Sequence, residues 1–549
     1  PIQPLLPPKD PPVIRRFACT LLLALALPAG ALAQDADDAS ASTSPIQTVA
    51  ESSGYERTAS HEQVMALCAQ LADASDRITL DSMGTSANGK DMPLLILADP
   101  PIKNAERARK SGKLIVFLFG NIHAGEVCGK EALLMLARDL GLGDRSPLLD
   151  DLVLLIAPIY NPDGNDEFDP DNRPGQLGPI EMGERENADG LDLNRDYVKL
   201  EAPETRALTR LLTEWDPHLT VDTHTTNGSH HRYLITYMGP RHPAGDNEII
   251  SYTRDTLLPA IDARFEDQTD WDAFFYGNFS DNHTRWTTYP AEPRYGAASR
   301  GLRNRLSILS EAYSYAPYKD RVLGTLAFCE AILHEAAQRK DEIRRLTRDA
   351  DERTINAGRN PTEDDTVALR IEARAFPEKV TVLGYDEYDD EGARTDWTGD
   401  EAPRDYEVEL VNDFVPTLSV RRPFAYVLPE ELAPIATILQ RHGIEVREIR
   451  EDIELPAQVY RIDALTRADR PFEGHTMITD VRAAPIPRTV NAHPRMFLVR
   501  TDQKLGLLAS YLLEPQASDG LVAWNFFDDH LSPGADFPVW RLPAYAPIT

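Results

Sequence analysis

Between residues 113 and 346 the chain alternates short, continuous apolar runs with longer stretches of helical periodicity, and few folds accept that alternation. The apolar runs at 113–119, 152–157, 219–222 and 306–309 read as buried strands. Helical segments are expected at about 126–140, 203–215, 248–265 and 320–346, with Pro203 at a position that the first turn of a helix tolerates. A strand apolar on both faces must be covered on both, so the alternation predicts an α/β fold: a sheet with helices packed on either side. A helix candidate at 61–74 comes earlier, followed by strand candidates at 78–83 and 93–98. The turn between those strands carries Asn88-Gly89, a good reversal signal.

With 549 residues the chain is too long for one hydrophobic core. Residues 347–366 are polar and contain Asn360-Pro361, which marks a boundary there. Beyond it, short strand candidates at 367–375, 406–410, 496–499 and 521–526 surround one helix at about 429–441. The expected organisation is an α/β domain over 59–346, a linker over 347–366 and a smaller β-rich accessory domain over 367–549. Residues 34–58, rich in Ala, Ser, Asp and Thr, read as a linker on the amino-terminal side.

Arg15 and Arg16 precede an apolar run over 17–27, and Ala31-Leu32-Ala33 then offers small residues at the positions a signal peptidase reads. Residues 1–33 are therefore expected to be a secretory signal peptide, cut after Ala33. The apolar run is far shorter than the roughly 20 residues that span a bilayer, so no membrane anchor is expected to remain. The formal net charge of −31 argues against nucleic acid, which requires a basic face. Of the four cysteines Cys19 leaves with the leader, and the scattered Cys68, Cys128 and Cys329 form neither a disulfide framework nor a cysteine zinc cluster.

A His and a Glu three residues apart occur twice, at His123/Glu126 and His442/Glu445. The second pair follows a predicted helix, where Gly443 is a common stop, and reads as structural. The first lies in Gly120-Asn121-Ile122-His123-Ala124-Gly125-Glu126, at the carboxyl end of a buried strand, the edge at which open α/β sheets bind ligands. Imidazole nitrogen and carboxylate oxygen are zinc donors, and a catalytic zinc takes three protein ligands. His224, in Val221-Asp222-Thr223-His224, stands at another strand end. His230 and His231 are rivals farther into the loop. Asn161-Pro162-Asp163-Gly164 and Ser310-Glu311-Ala312 place further polar residues on the same edge.

Taken jointly, His123 and Glu126, Asn161-Pro162-Asp163-Gly164, Leu191-Asp192-Leu193-Asn194-Arg195, His224 and Glu311 resemble the zinc carboxypeptidase family of the carboxypeptidase A type over about 60–345. The C-terminal third lies outside that resemblance. It implies a mixed central sheet flanked by helices and one Zn2+ per chain on His123, Glu126 and His224. Asp192 would orient a ligand histidine. Asn194 and Arg195 would dock the terminal carboxylate of a peptide, for which the planar guanidinium fork is suited. Glu311 would be the general base acting on a zinc-bound water. The family's oxyanion arginine is matched by Arg185 or Arg173, of which Arg185 is nearer the Asn-Arg pair. Its mobile tyrosine is matched by Tyr289 or Tyr295. The implied activity is a secreted carboxypeptidase acting on peptides with a free C-terminal carboxylate. Deacylation of N-acyl amino acids and peptidoglycan cleavage are alternatives on the same scaffold, and an inactive binding protein is disfavoured because ligands and base are all present. The sequence leaves the oligomeric state open. One expectation is directly measurable: N-terminal sequencing of exported material should start at Gln34, and uncleaved protein in the cytoplasm would refute the leader.

Overall fold

The computed structural model describes residues 46–143, 146–388 and 397–548, so the leader and its cleavage site lie outside the described residues. The apolar runs become the strands that hold the molecule together. In chain order they are β1 (Ile78–Thr85), β2 (Asp91–Leu97), β3 (Leu114–Gly120), β4 (Leu152–Ala157), β5 (Leu219–Thr226), β6 (Tyr233–Met238) and β7 (Asp272–Phe275). Two short strands follow, β8 (Asn278–Phe279) and β9 (Arg285–Thr287), and then β10 (Leu306–Tyr313). All except β8 and β9 form one eight-stranded sheet in the order β1-β2-β4-β3-β5-β10-β6-β7. Its centre, β4-β3-β5-β10, is parallel, while β2 and β6 join it antiparallel. The sheet is mixed, as expected. Every residue of β3, β4 and β5 is buried, with apolar side chains packed against helices on both faces.

Strands β5 and β10 run four residues past their expected ends. Thr223 to Thr226 and Ser310 to Tyr313 are mostly polar, which hides them from an apolar-run reading, yet they continue the parallel ladder. This register sets Glu311 directly beside His224 and Gly120 beside Thr223. Helix Cys128–Leu142 crosses β5 at very short range. A Cβ at Gly129 would lie 2.1 Å from Thr223 Oγ1, so only glycine permits that approach.

Other expectations change. The helix at 248–265 is built as Asn247–Tyr252 and Leu258–Gln268 joined by one π-helical turn, Thr253–Leu257, which precedes Pro259. The helix at 320–346 is two helices, Tyr318–Gln338 and Lys340–Arg359. The second runs through most of the expected linker at 347–366. It has few apolar residues, but Ile343, Thr347, Ala350, Asp351 and Thr354 make one buried face, and Arg305 bridges Asp351 and Asp216 at 3.0 and 2.8 Å. Residues 46–58, expected to be linker, instead pack on the α/β core. Thr48 and Glu51 make a capping box, Glu51 pairs with Arg138 at 2.6 Å, and Glu131 accepts the amides of Ala50 and Ala59.

The C-terminal region is β-rich, with longer strands than expected. β11 (Thr366–Tyr385) and β12 (Pro403–Arg421) form a hairpin, and β12 pairs in parallel with β9, giving the sheet β11-β12-β9-β8. Next come β13 (Ala425–Leu428), β14 (Arg447–Glu448), β15 (Ile453–Arg467), β16 (Ile478–Ala492), β17 (Phe497–Arg500) and β18 (Asp536–Leu542), in the order β14-β17-β13-β18-β15-β16. Residues 521–526 are a buried run of turns, not a strand; Asn525 has a φ of 67°. The close crossing of β5 makes a stability prediction. Gly129→Ala should lower the melting temperature by an amount equivalent to about 1–3 kcal/mol, the usual range for overpacking, measured by thermal unfolding of purified protein.

Candidate active site

After β3 the chain turns through Asn121, whose φ of 65° is left-handed and suits asparagine, and its side chain donates to Ala124 O at 3.0 Å. The turn brings Glu126 back over His123. Glu126 then stands between two imidazoles, its Oε1 3.0 Å from His123 Nδ1 and its Oε2 3.0 Å from His224 Nδ1. One donor atom from each of these residues lies within 4.8 Å of the others, and all three are buried. The far nitrogen of each ring meets a second carboxylate. His123 Nε2 is 3.1 Å from Asp192 Oδ1, and His224 Nε2 is 3.0 Å from Asp222 Oδ2.

This donor set fits a zinc ion: two nitrogens and one oxygen converge, and each imidazole is backed by a carboxylate that fixes its tautomer. Asp222 was not singled out from the sequence. Its signal was there, because residues two apart on a strand share a face, and Asp222 precedes His224 by two. His230 and His231 stand apart from the cluster. His230 pairs with Glu387 at 2.9 Å and stacks on Trp397, while His231 is buried against Tyr313. His442 is also buried, its Nε2 3.0 Å from Val198 O, and burial lowers its pKa to about 3. Glu445 turns outward to Arg447.

The electrostatics of the cluster are strongly coupled. Burial works to raise the Glu126 pKa, but His123 and Arg173 outweigh it and hold the carboxyl well below its usual range. For Asp192 burial again opposes, and His123 and Arg185 bring the pKa down. Glu311 differs: burial pushes it up to about 8, against the pull of His224.

Around these groups lies a cavity of about 290 Å³ whose walls hold Glu311, Arg173, Arg185, Asn194, Arg195, Tyr289 and Tyr295. Arg173 donates to Glu126 Oε1 at 2.9 Å and to Thr225 O at 2.7 Å. Arg185 grips Asp192 Oδ2 through Nη2 at 2.7 Å and Nε at 3.1 Å. Its loop is held by Asn161, whose side chain donates to the carbonyls of Arg185 and Glu186. Asn194 accepts from Gly296 N at 3.1 Å, and the Arg195 guanidinium lies 4.6 Å over the Tyr295 ring. Tyr289 packs on Tyr295 and on Arg241, and Tyr276 joins the same wall.

The C-terminal region braces this wall. Asp519 accepts the backbone N–H of Arg294 at 2.6 Å and pairs with its guanidinium at 2.9 Å, next to Tyr295. Arg241 reaches Asn412 of β12 at 3.3 Å while holding the carbonyl of Tyr289. Glu473 accepts from the backbone of Asp192 at 3.4 Å.

Residues 64–254 match the family model described as zinc carboxypeptidase. That region, about a third of the chain, is a zinc carboxypeptidase domain. It is a metallocarboxypeptidase, a hydrolase. Carboxypeptidase 2 of Trichophyton rubrum is 23% identical over 488 residues, covering 83% of this chain and 81% of that protein. Residues 59–346 cannot supply that share, so the likeness reaches into the C-terminal third, which the motifs had left outside. Carboxypeptidase D of Mus musculus is 32% identical over 154 residues, 24% of this chain and 11% of that protein. A crystal structure of a putative carboxypeptidase A from Shewanella denitrificans covers 51% of this chain and 69% of its own, with 19% identity and a TM-score of 0.38.

The geometry separates the two His/Glu pairs. Metal analysis of purified protein should find that His123→Ala and His224→Ala lose zinc. Folded His442→Ala should keep it, and the reverse pattern would reject the cluster at the strand ends as the metal centre.

Proposed function

We propose that this metallocarboxypeptidase is exported, holds one Zn2+ per chain on His123, Glu126 and His224, and removes the C-terminal residue of peptides with Glu311 as general base. The observation that carries the reading is the β5–β10 register, which sets Glu311 beside His224 in a cavity that Asn194 and Arg195 also line. A zinc bound here supplies Lewis-acid polarisation of the scissile carbonyl and lowers the pKa of water.

The chain's own groups do the rest. Arg195 and Asn194 hold the terminal carboxylate of the peptide; the Arg195 guanidinium is pre-set by its stack on Tyr295 and by its hydrogen bond to the Asn194 carbonyl at 2.9 Å. Glu311 accepts the proton of the attacking water and returns it to the leaving amine, general base and then general acid. Arg185 faces the negative charge that grows on the carbonyl oxygen. It is the better candidate than Arg173, whose guanidinium is engaged by Glu126 and the Thr225 carbonyl and is half as exposed, 15% against 31%. Tyr289 and Tyr295 close over the docked residue. Asp192 positions the His123 ring.

In this reading residues 59–346 form the catalytic unit and 367–549 an accessory unit that stiffens the substrate wall. Export rests on the leader expected at 1–33. No helix among the described residues is long and apolar enough to cross a membrane.

Matched free-acid and amidated peptides test the assignment. Glu311→Gln keeps its shape but cannot take a proton, so kcat should fall by roughly 10²–10⁴-fold with zinc retained. Arg195→Ala removes a charge-assisted contact of about 2–3 kcal/mol, a loss of roughly 30- to 150-fold in kcat/KM on free-acid peptides. Amidated peptides should be poor substrates for both proteins. Wild-type cleavage of amides as fast as of free acids would make this an endopeptidase or amidase instead.

A further inference from the structure

A second cavity, also of about 290 Å³, lies at the opposite edge of the central sheet. Asp216 and Pro217 enter it just before β5, and Arg300, Arg303 and Arg305 just before β10. Glu445, Gln503 and Lys504 of the C-terminal region also line it, the Glu445 carboxylate being taken by Arg447 at 2.7 Å.

The charges of this cavity do not balance. Arg305 is satisfied: both its Nε and Nη2 reach Asp216 at 2.8 Å, and Nη2 reaches Asp351 at 3.0 Å. Lys504 draws on the same two carboxylates, at 3.1 and 3.3 Å. Two acids thus serve two bases, and Arg300 and Arg303 are left over. They are only 3% and 7% exposed. Among the described residues no carboxylate pairs with either. Arg300 Nε and Nη2 and Arg303 Nε are buried without an acceptor, and among the described residues the Arg303 guanidinium makes one hydrogen bond, to His442 O at 2.9 Å. The Tyr197 ring, 5.3 Å beneath Arg300, offsets part of the charge.

Leaving two neighbouring guanidinium groups buried without an ion-pair partner is unfavourable, and the nearest carboxylates, Asp222 for Arg300 and Asp216 for Arg303, act on them only from beyond ion-pair distance. Burial, and then the proximity of Arg300, pull the Arg303 pKa down to about 9. In a chain of net charge −31, a local excess of buried positive charge stands out against its surroundings. Water can fill the N–H valences but cannot neutralise the charge. A small oxyanion can do both, because its paired oxygens match the guanidinium fork. The volume lies at the low end of small-molecule sites, about 300–1,000 Å³, which suits an ion and not a large ligand.

We propose that this cavity is an anion site, distinct from the zinc cavity, in which Arg300 and Arg303 jointly hold a tetrahedral oxyanion of the sulfate or phosphate type. The site lies at the amino ends of the parallel strands and shares no residue with the catalytic cavity. It holds whether or not the peptide specificity is as proposed.

Thermal unfolding of the zinc-loaded protein tests it. Sodium sulfate is titrated at constant ionic strength, with chloride as the balancing salt and no phosphate in the buffer. The expected result is a saturable rise of a few degrees, as for any ligand that binds only the native state. Arg303→Met should abolish the rise, and Arg195→Ala should keep it, which separates this cavity from carboxylate docking at the zinc site. Crystals of the wild-type protein soaked in selenate give a readout that needs no variant: an anomalous peak between the Arg300 and Arg303 guanidinium groups is expected. A melting temperature that follows ionic strength alone, a response lost in Arg195→Ala but kept in Arg303→Met, or no peak at that position would each overturn the proposal.

Discussion

Four carboxylates, Glu126, Asp192, Asp222 and Glu311, are gathered at the carboxyl ends of the parallel strands, close to one another and mostly out of water. Such a concentration of negative charge calls for partners, and the surrounding structure provides them for Glu126, Asp192 and Asp222, while Glu311 makes no ion pair among the described residues and its Oε2 is buried without a hydrogen-bond partner. Arg173 and Arg185 reach in from the loops, and the two imidazoles lie between carboxylates. The parallel register of β3, β5 and β10 and the glycine-limited crossing of helix Cys128–Leu142 hold these groups at one level. A divalent cation among them relieves the remaining repulsion, so metal binding and native-state stability are linked at this site.

The wall facing that cluster depends on sequence far downstream. Tyr289 and Tyr295 sit in the stretch between β9 and β10, which has little regular structure of its own. It is fixed from outside by β12 against β9, by Asn412 through Arg241, and by Asp519 through Arg294. The C-terminal third is thus part of what shapes the cavity, in keeping with a likeness to fungal carboxypeptidase 2 that extends into it.

How much of this the sequence disclosed follows from the range of the signals. Strands β3 and β4 and the loop that carries His123 and Glu126 announce themselves locally, through apolar runs and a turn. The polar ends of β5 and β10 do not, because their partners are one another. Asp222 could have been found from its two-residue spacing to His224. The pairing of Glu126 with Arg173, and of Asp192 with Arg185, could not have been ordered beforehand, since both arginines come from loops. The part of helix Lys340–Arg359 beyond residue 346 reads as linker because it is anchored by charge as much as by apolar burial. The apolar run at 521–526 shows the opposite failure: Trp524 is fully buried with Nε1 donating to Asp519, without any ladder to make a strand. Contacts such as Glu473 with Asp192 span nearly three hundred residues and leave no local trace.

The brace from Asp519 to Arg294 also orders events in time. A chain leaving the ribosome presents its amino-terminal part first. The histidines and carboxylates of the metal cluster are complete once Glu311 has emerged, yet the strand that seats β9 begins at Pro403 and the aspartate that fixes the tyrosine loop is Asp519. A hydrolase arranged in this way acquires its finished substrate cleft only after Asp519 has emerged, about two hundred residues behind Glu311. Over that interval the nascent polypeptide carries the reactive groups without the architecture that aims them.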